Sequence, residues 1–437
     1  MTGHYRTLIS LFVKIVIRFL DFLLFLLFLA VFVFQTIYLK FQYKNLKNQK
    51  INILRLIEGG DLESIFKKYG NLESYFYHLI PRYTNLVIGS NHGTKNNFLL
   101  RLRNDYVLME TWYSRHFPLI SSLYFLSRHI QIVIKYKISL IHSNSPYILG
   151  FYGVILSRIL SLPVCVSIHA DYERSESLQG NVIPRIFGSI RISRWVEKFV
   201  YQKVDMILPI RKHMRDYLLK VGCSEDKIRI FPHGIDMNDI YGESNVNVRE
   251  LFKIPEGVKI VSSAARLEKE NYCDDLVDIA IRCVKSIENL CFIICGGGSQ
   301  LLILEESVRH SGLQKHILLP GDIAQRTVFE IRKQCDINLC LRAGFSLIEA
   351  CASGKPVISY DVDWHSELVK NGESGFLVAE NDTDEVIEKI EYLLNNPERG
   401  HELGEKAKKL ALEKHSLEVT NRKKAQIYRE LLGEKQI

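Results

Sequence analysis

The sequence predicts an α/β protein of two doubly wound domains, each a parallel sheet between helices, preceded by an apolar N-terminal helix. Three observations predict it. With 437 residues, 47% of them hydrophobic, the chain can bury the cores of roughly two to three domains. Strand-like and helix-like runs alternate from about residue 50 to the C-terminus. The run from Phe22 to Tyr38, FLLFLLFLAVFVFQTIY, is apolar except for Gln35 and Thr36 and is close to the length that crosses a bilayer.

The apolar run starts late and no small-residue cleavage site follows it, so it reads as a retained anchor rather than a signal peptide. Lys40, Lys44, Lys47 and Lys50 follow it, against Arg6, Lys14 and Arg18 before it, which biases the rest of the chain toward the cytoplasm. Lys14 and Arg18 could alternatively lay residues 8–18 flat in the interface. The expected first sheet takes strands at Asn52–Ile57, Leu86–Gly89, Ser139–His142, Val164–His169, Met206–Pro209 and Arg229–Phe231. Residues 241–255 are polar and irregular and suit a connection. A second set follows at Lys259–Ala264, Cys291–Cys295, Ile337–Cys340 and Val357–Tyr360, and an amphipathic helix at Ser416–Lys435 closes the chain. The expected division is 1–45 anchor, 46–245 first domain, 246–415 second domain and 416–437 a helix crossing back to the first.

Composition narrows the function. A net charge of +8 spread along the chain favours anionic lipid and phosphorylated substrates, and no zinc finger, RNA-binding aromatic motif or basic zipper points to nucleic acid. Nine cysteines between Cys165 and Cys351, with no CxxC pair, read as reduced buried thiols and argue against structural zinc. Gly296-Gly297-Gly298 lacks the order of a dinucleotide fingerprint, and no P-loop is present.

The densest punctuation lies in residues 341–378. Gly344, Phe345 and Ser346 form a small-residue turn, Leu347–Ala352 reads as a short helix carrying Glu349, and Gly354-Lys355-Pro356 stops it ahead of a buried strand. Ser346 and Glu349 also have the spacing of a capping box, which would serve any helix. This layout resembles the C-terminal signature of the family 4 retaining glycosyltransferases. Gly59 and Gly60 resemble that family's N-terminal glycine loop. His169, in VSIHADYE, stands where the family has a histidine after a strand, and His233-Gly234-Ile235-Asp236 resembles its N/H-G-V/I-D turn. Arg266, in ARLEKEN, resembles the arginine of its phosphate-binding turn. Each alone could be a turn, a structural histidine or a surface ion pair; their joint order is harder to attribute to chance.

The resemblance implies two Rossmann-like domains facing a cleft, the GT-B architecture. It implies a donor diphosphate at the helix start and at Arg266, ribose hydroxyls on Glu349, and His169 as the catalytic residue beside the donor sugar. No metal and no cofactor are implied. The chain departs from the family at Leu341, where a glutamate is usual, and at Asn271, where a lysine is usual; Lys269, Arg342 or His233 would then assist. Asp361-Val362-Asp363 has metal-binding spacing, but Asp382-Thr383-Asp384 repeats it in an evident loop. The implied activity is sugar transfer from a nucleotide-sugar donor to a lipid-linked or surface-polysaccharide acceptor at a membrane. The alternatives are a nucleotide-sugar 2-epimerase of the same fold and a non-catalytic sugar-nucleotide binder.

Overall fold

The computed structural model describes residues 2–43, 51–57, 85–92, 98–103, 106–112, 116–180, 182–242 and 244–433. It forms two compact units, Met1–Phe231 with Asn421–Ile437, and Pro232–Thr420.

The first unit holds a seven-stranded sheet of β1 (Asn52–Ile57), β2 (Asn85–His92), β3 (Phe98–Arg103), β4 (Tyr106–Trp112), β5 (Leu140–Ser143), β6 (Val164–Ile168) and β7 (Met206–Pro209). Its order is β3-β4-β2-β1-β5-β6-β7, and only the β3–β4 pair is antiparallel. Strand β1, NILRLI, is buried along its whole length, as a central parallel strand covered on both faces must be. The β3–β4 pair was not expected. In the sequence, the polar pair Asn104-Asp105 between the β-prone runs FLLRLR and YVLMETW is a hairpin signal that could have marked it. The expected strand Arg229–Phe231 is only an extended segment beside β7, with the Phe231 N–H bonded to the Pro209 carbonyl at 2.8 Å.

The second unit holds six parallel strands, β8 (Lys259–Ala264), β9 (Leu290–Cys295), β10 (Ile317–Gly321), β11 (Ile337–Leu339), β12 (Val357–Tyr360) and β13 (Phe376–Val378). Their order is β10-β9-β8-β11-β12-β13. The order reverses between β8 and β11, so the ends of these strands frame the crevice where doubly wound sheets bind ligands. The two strands that sequence reading left out, β10 and β13, are the edges; Pro320 in β10 is tolerated there because an edge strand has one unpaired side.

The first compact unit ends at Phe231 and the second begins at Pro232, ahead of the polar stretch 241–255. Pro232 onward is already fastened to the second unit: the Ile235 N–H bonds to the His415 carbonyl and the Leu417 N–H to the Ile235 carbonyl, each at 2.9 Å. A Cβ on Gly234 would lie 2.0 Å from Thr420 Oγ1, so only glycine lets the strap approach this closely. The last helix runs Leu417–Leu431; Ile427 and Tyr428 join the first unit's core with Ile53, Ile57 and Phe231. The N-terminal helix spans Thr2–Tyr43, and its Val13–Leu39 segment is long and apolar enough to cross a membrane. All nine cysteines are unpaired and buried.

Candidate active site

The turn after β8 carries Arg266. The Ala265 N–H bonds to the Cys295 carbonyl at 3.1 Å and the Leu267 N–H to the Gly297 carbonyl at 2.8 Å, so the chain stays laced to β9 past the strand end. This explains the triple glycine. A Cβ on Gly296 would meet the Ala265 carbonyl oxygen at 1.9 Å and one on Gly298 the Leu267 carbonyl oxygen at 2.3 Å, and both glycines have positive φ. Asn271, where the family has lysine, donates from Nδ2 to the Arg266 carbonyl at 2.8 Å and closes the same turn. The Arg266 guanidinium is left 75% exposed, 3.7 Å from Glu270, a weak contact in water. Lys269 is exposed one turn further on.

Across the switch point, helix Phe345–Ala352 begins at Gly344 with no side-chain cap. The capping-box reading of Ser346 and Glu349 is therefore corrected. Ser346 lies inside the first turn, where its Oγ donates to the Ala264 carbonyl at the end of β8 and accepts from Arg332. Glu349 accepts from Gln325 Nε2 at 3.0 Å and lies 3.6 Å from Arg332 Nε, leaving its side chain 13% exposed. Arg332, on helix Gln325–Gln334, is buried to 1% and was not among the expected site residues. It also reaches Asn338 Oδ1 at 3.4 Å and the Ala264 carbonyl at 3.5 Å, so one guanidinium joins β8, β11 and the helix start.

The loop leading into that helix is braced by groups sequence reading left aside. The Ala343 N–H donates to His365 Nε2 at 3.0 Å, and Trp364 Nε1 donates to the Ala343 carbonyl at 3.1 Å. Burial lowers the His365 pKa to about 4, so the ring is neutral and can accept. Arg342 donates to Asp363 at 2.8 Å and to the Glu270 carbonyl at 2.9 Å, which ties this loop to the Arg266 turn and takes up the second aspartate of Asp361-Val362-Asp363. Leu341 is packed in the second core. His233 stacks on Phe345 with ring centroids 4.7 Å apart at 6°.

Thus Arg266, Lys269, Arg342, Gly344, Phe345, Ser346, Glu349 and His233 all belong to the second unit. His169 belongs to the first, just after β6. Burial, then the nearby Arg55, lowers its pKa to about 4. It belongs to a buried polar group that sequence reading did not anticipate. Arg55 donates to Asn144 Oδ1 at 2.6 Å, and His142 bonds to the Tyr428 hydroxyl at 2.7 Å and to Ser167 Oγ at 2.6 Å. Lys424 is held down to about 7 by burial and by Arg55. Gly59 and Gly60 lie outside the described residues.

Known families and solved structures match both units of the chain. The model described as Glycosyltransferase Family 4 matches residues 91–239, and that described as Glycosyl transferases group 1 matches residues 247–410. The chain is 24% identical over 301 residues to the alpha-monoglucosyldiacylglycerol synthase of Streptococcus pneumoniae, covering 66% of each protein. Among solved structures, sucrose-phosphate synthase of Thermosynechococcus elongatus superposes with a TM-score of 0.71 at 16% identity, over 88% of this chain and all of that one. The Anabaena protein HepE, crystallised with UDP-glucose, gives 0.66 at 16% identity over 87% of this chain and all of its own. With family models matched over residues 91–239 and 247–410 and two doubly wound α/β sheets that superpose on these structures, the chain belongs to the family 4, group 1 glycosyltransferases and is a glycosyltransferase of the GT-B fold.

Proposed function

We propose that the protein is a retaining glycosyltransferase that moves a sugar from a nucleotide donor to a lipid-linked or surface-polysaccharide acceptor. The observation that carries this reading is the pairing of two strand ends at the switch point of the second sheet, with Arg266 exposed on one and Ser346 and Glu349 on the other. The donor diphosphate would lie at the start of helix Phe345–Ala352, where backbone N–H groups and the positive helix end favour an anion. Arg266 would meet the charge that grows on the departing phosphate. Glu349 would accept hydrogen bonds from the vicinal ribose hydroxyls.

In the retaining reaction the bond from the anomeric carbon to the phosphate oxygen breaks. The acceptor hydroxyl bonds to the same face, and its proton passes to the leaving phosphate. Neither a protein nucleophile nor a metal is needed. His169, neutral at physiological pH, would hydrogen bond the donor sugar rather than supply a cation. The UDP-glucose complex of HepE and the monoglucosyldiacylglycerol product in the name of the streptococcal relative support a nucleotide sugar and a lipid acceptor. The apolar N-terminal helix would hold the enzyme at the membrane on its cytoplasmic side, consistent with nine unpaired thiols.

A thermal-shift panel of UDP-, GDP-, ADP- and CMP-sugars tests the reading, since a ligand that binds the native state raises stability by mass action. One nucleotide class should raise the melting temperature, and Glu349→Gln should reduce that rise. No shift with any of them would remove the donor assignment.

A further inference from the structure

Asp21 interrupts the apolar N-terminal helix, and its side chain is fully buried. Oδ2 accepts the Leu119 N–H at 2.9 Å and Oδ1 the Ile120 N–H at 3.1 Å. Helix Pro118–Lys135 lacks a cap of its own, because its N-cap residue is Phe117 with no capping side chain. Asp21 fills that role from a distant part of the chain, and its charge also suits the positive helix end.

The contact continues along the helix. Ser127 Oγ donates to Gln35 Oε1 at 2.8 Å, and Phe32 and Leu39 pack against the first core. The residues of this segment that are not exposed recur every three or four positions, from Ile17 through Asp21, Phe25 and Phe32 to Leu39. At 100° per residue, Lys14, Arg18, Asp21, Gln35 and Thr36 fall within an arc of about 100°. They are the non-aromatic polar side chains of Val13–Leu39. The remaining circumference is apolar and open to solvent, with Leu27 68%, Ile37 64% and Phe34 78% exposed.

We propose that this helix is fastened lengthwise to its own domain through Asp21 and Gln35 and lies along the membrane surface, its outer face in the hydrocarbon of a lipid bilayer. Contacts to the domain run from residue 21 to residue 39, about 27 Å of helix at 1.5 Å per residue, against a hydrocarbon thickness of about 30 Å. A helix crossing the bilayer would therefore carry helix Pro118–Lys135, with Arg128 and Gln131, into the hydrocarbon, where polar side chains are costly. The in-plane arrangement avoids this. Lys14 and Arg18, on the arc that carries Asp21, stay at headgroup level and attract anionic lipid. The anchor then fixes the orientation of the first domain on the membrane and is not a flexible leash.

The test uses the full-length protein in sealed phosphatidylcholine–phosphatidylglycerol vesicles; the nine native cysteines are buried. Combining Gln35→Cys with Ser127→Cys should give a within-chain disulfide in most molecules on mild oxidation, whereas Phe34→Cys with Ser127→Cys should give almost none. In Thr2→Cys, an impermeant maleimide added outside should label the molecules whose domains external trypsin cuts. Label confined to molecules with protected domains would show a crossing helix and overturn the proposal. So would a 35/127 pair that stays reduced in a protein whose melting curve shows it folded. Efficient dimer cross-linking by Phe34→Cys alone at low protein-to-lipid ratio would assign the outer face to a second copy instead of lipid. If the double variant does not fold, Thr2→Cys decides alone, since it alters none of the docking residues.

Discussion

The guanidinium of Arg332, buried to 1%, lies 3.6 Å from the carboxylate of Glu349 and also donates to Ser346 in the first turn of the same helix. The residue proposed to hold the ribose is thus oriented from beneath by a buried cation that also anchors the helix start to β8. Glu349→Gln is expected to weaken binding of the nucleoside diphosphate by about 1–3 kcal/mol, the cost of losing a charge-assisted hydrogen bond. Arg332→Met should weaken it as well and should lower stability by about 3 kcal/mol, because it strands a partner of a buried pair. Arg332→Lys, which keeps the charge but not the fork of donors, should recover part of both losses. Calorimetric titration and denaturant melts of the three variants check this; normal binding by a destabilised Glu349→Gln would make Glu349 a structural residue only.

How much of this was legible in the sequence differs from residue to residue. Gly344, Ser346 and Glu349 could be placed because glycine and proline punctuate a short helix within a few residues. Arg332 could not: in QRTVFEIRKQ it reads as one more charge on an amphipathic helix, and its burial is decided by Ser346, Glu349 and Asn338 approaching from other elements. The triple glycine was visible as a run, but its reason is the neighbouring Ala265–Leu267 backbone, which only the sheet order brings close. The polar arc of the N-terminal helix was present in the spacing of Asp21 and Gln35, yet hydropathy averaged it away.

Arg266 is exposed, so its removal should leave the fold intact. Arg266→Ala is expected to reduce affinity for both sugar nucleotide and free nucleoside diphosphate by about 1–3 kcal/mol, while the nucleoside alone binds as before, since the proposed contact is to phosphate. Isothermal titration with the three ligands checks it. Equal losses for all three would place Arg266 outside the phosphate site.

His129, His169 and His365 are each held at a pKa of about 4, against an ordinary 6.5, with burial as the largest cause. The unfolded chain therefore binds more protons than the folded one between these values. Their contribution to stability is fully present above pH 6.5 and is lost as the pH falls toward about 4. Each histidine contributes a slope of up to about 1.4 kcal/mol per pH unit in that window. Urea melts from pH 7.5 to 4.5 should show the loss, and His365→Gln should show a slope shallower by one proton; an unchanged slope would contradict the buried neutral ring.

Deleting residues 1–45 looks harmless from the sequence, which places both sheets after the apolar run. The structure predicts otherwise. Asp21 caps helix Pro118–Lys135, and Phe32 and Leu39 cover part of the first core. The truncated protein should melt earlier than the full chain in detergent, and Asp21→Ala in the full chain should cost about 0.5–2 kcal/mol, the range for a lost cap. Equal melting temperatures for full-length and truncated protein would show that the helix adds nothing to the domain.

Retaining transfer from a nucleotide sugar leaves the transferred sugar with the donor's anomeric configuration. Real-time proton NMR follows the anomeric signals as the sugar nucleotide that stabilises the protein is turned over by transfer or by slow hydrolysis. The first product to form should carry the donor's own anomeric configuration, with the ring otherwise unchanged. A product of the opposite anomer, or a sugar nucleotide inverted at C2, would contradict the account.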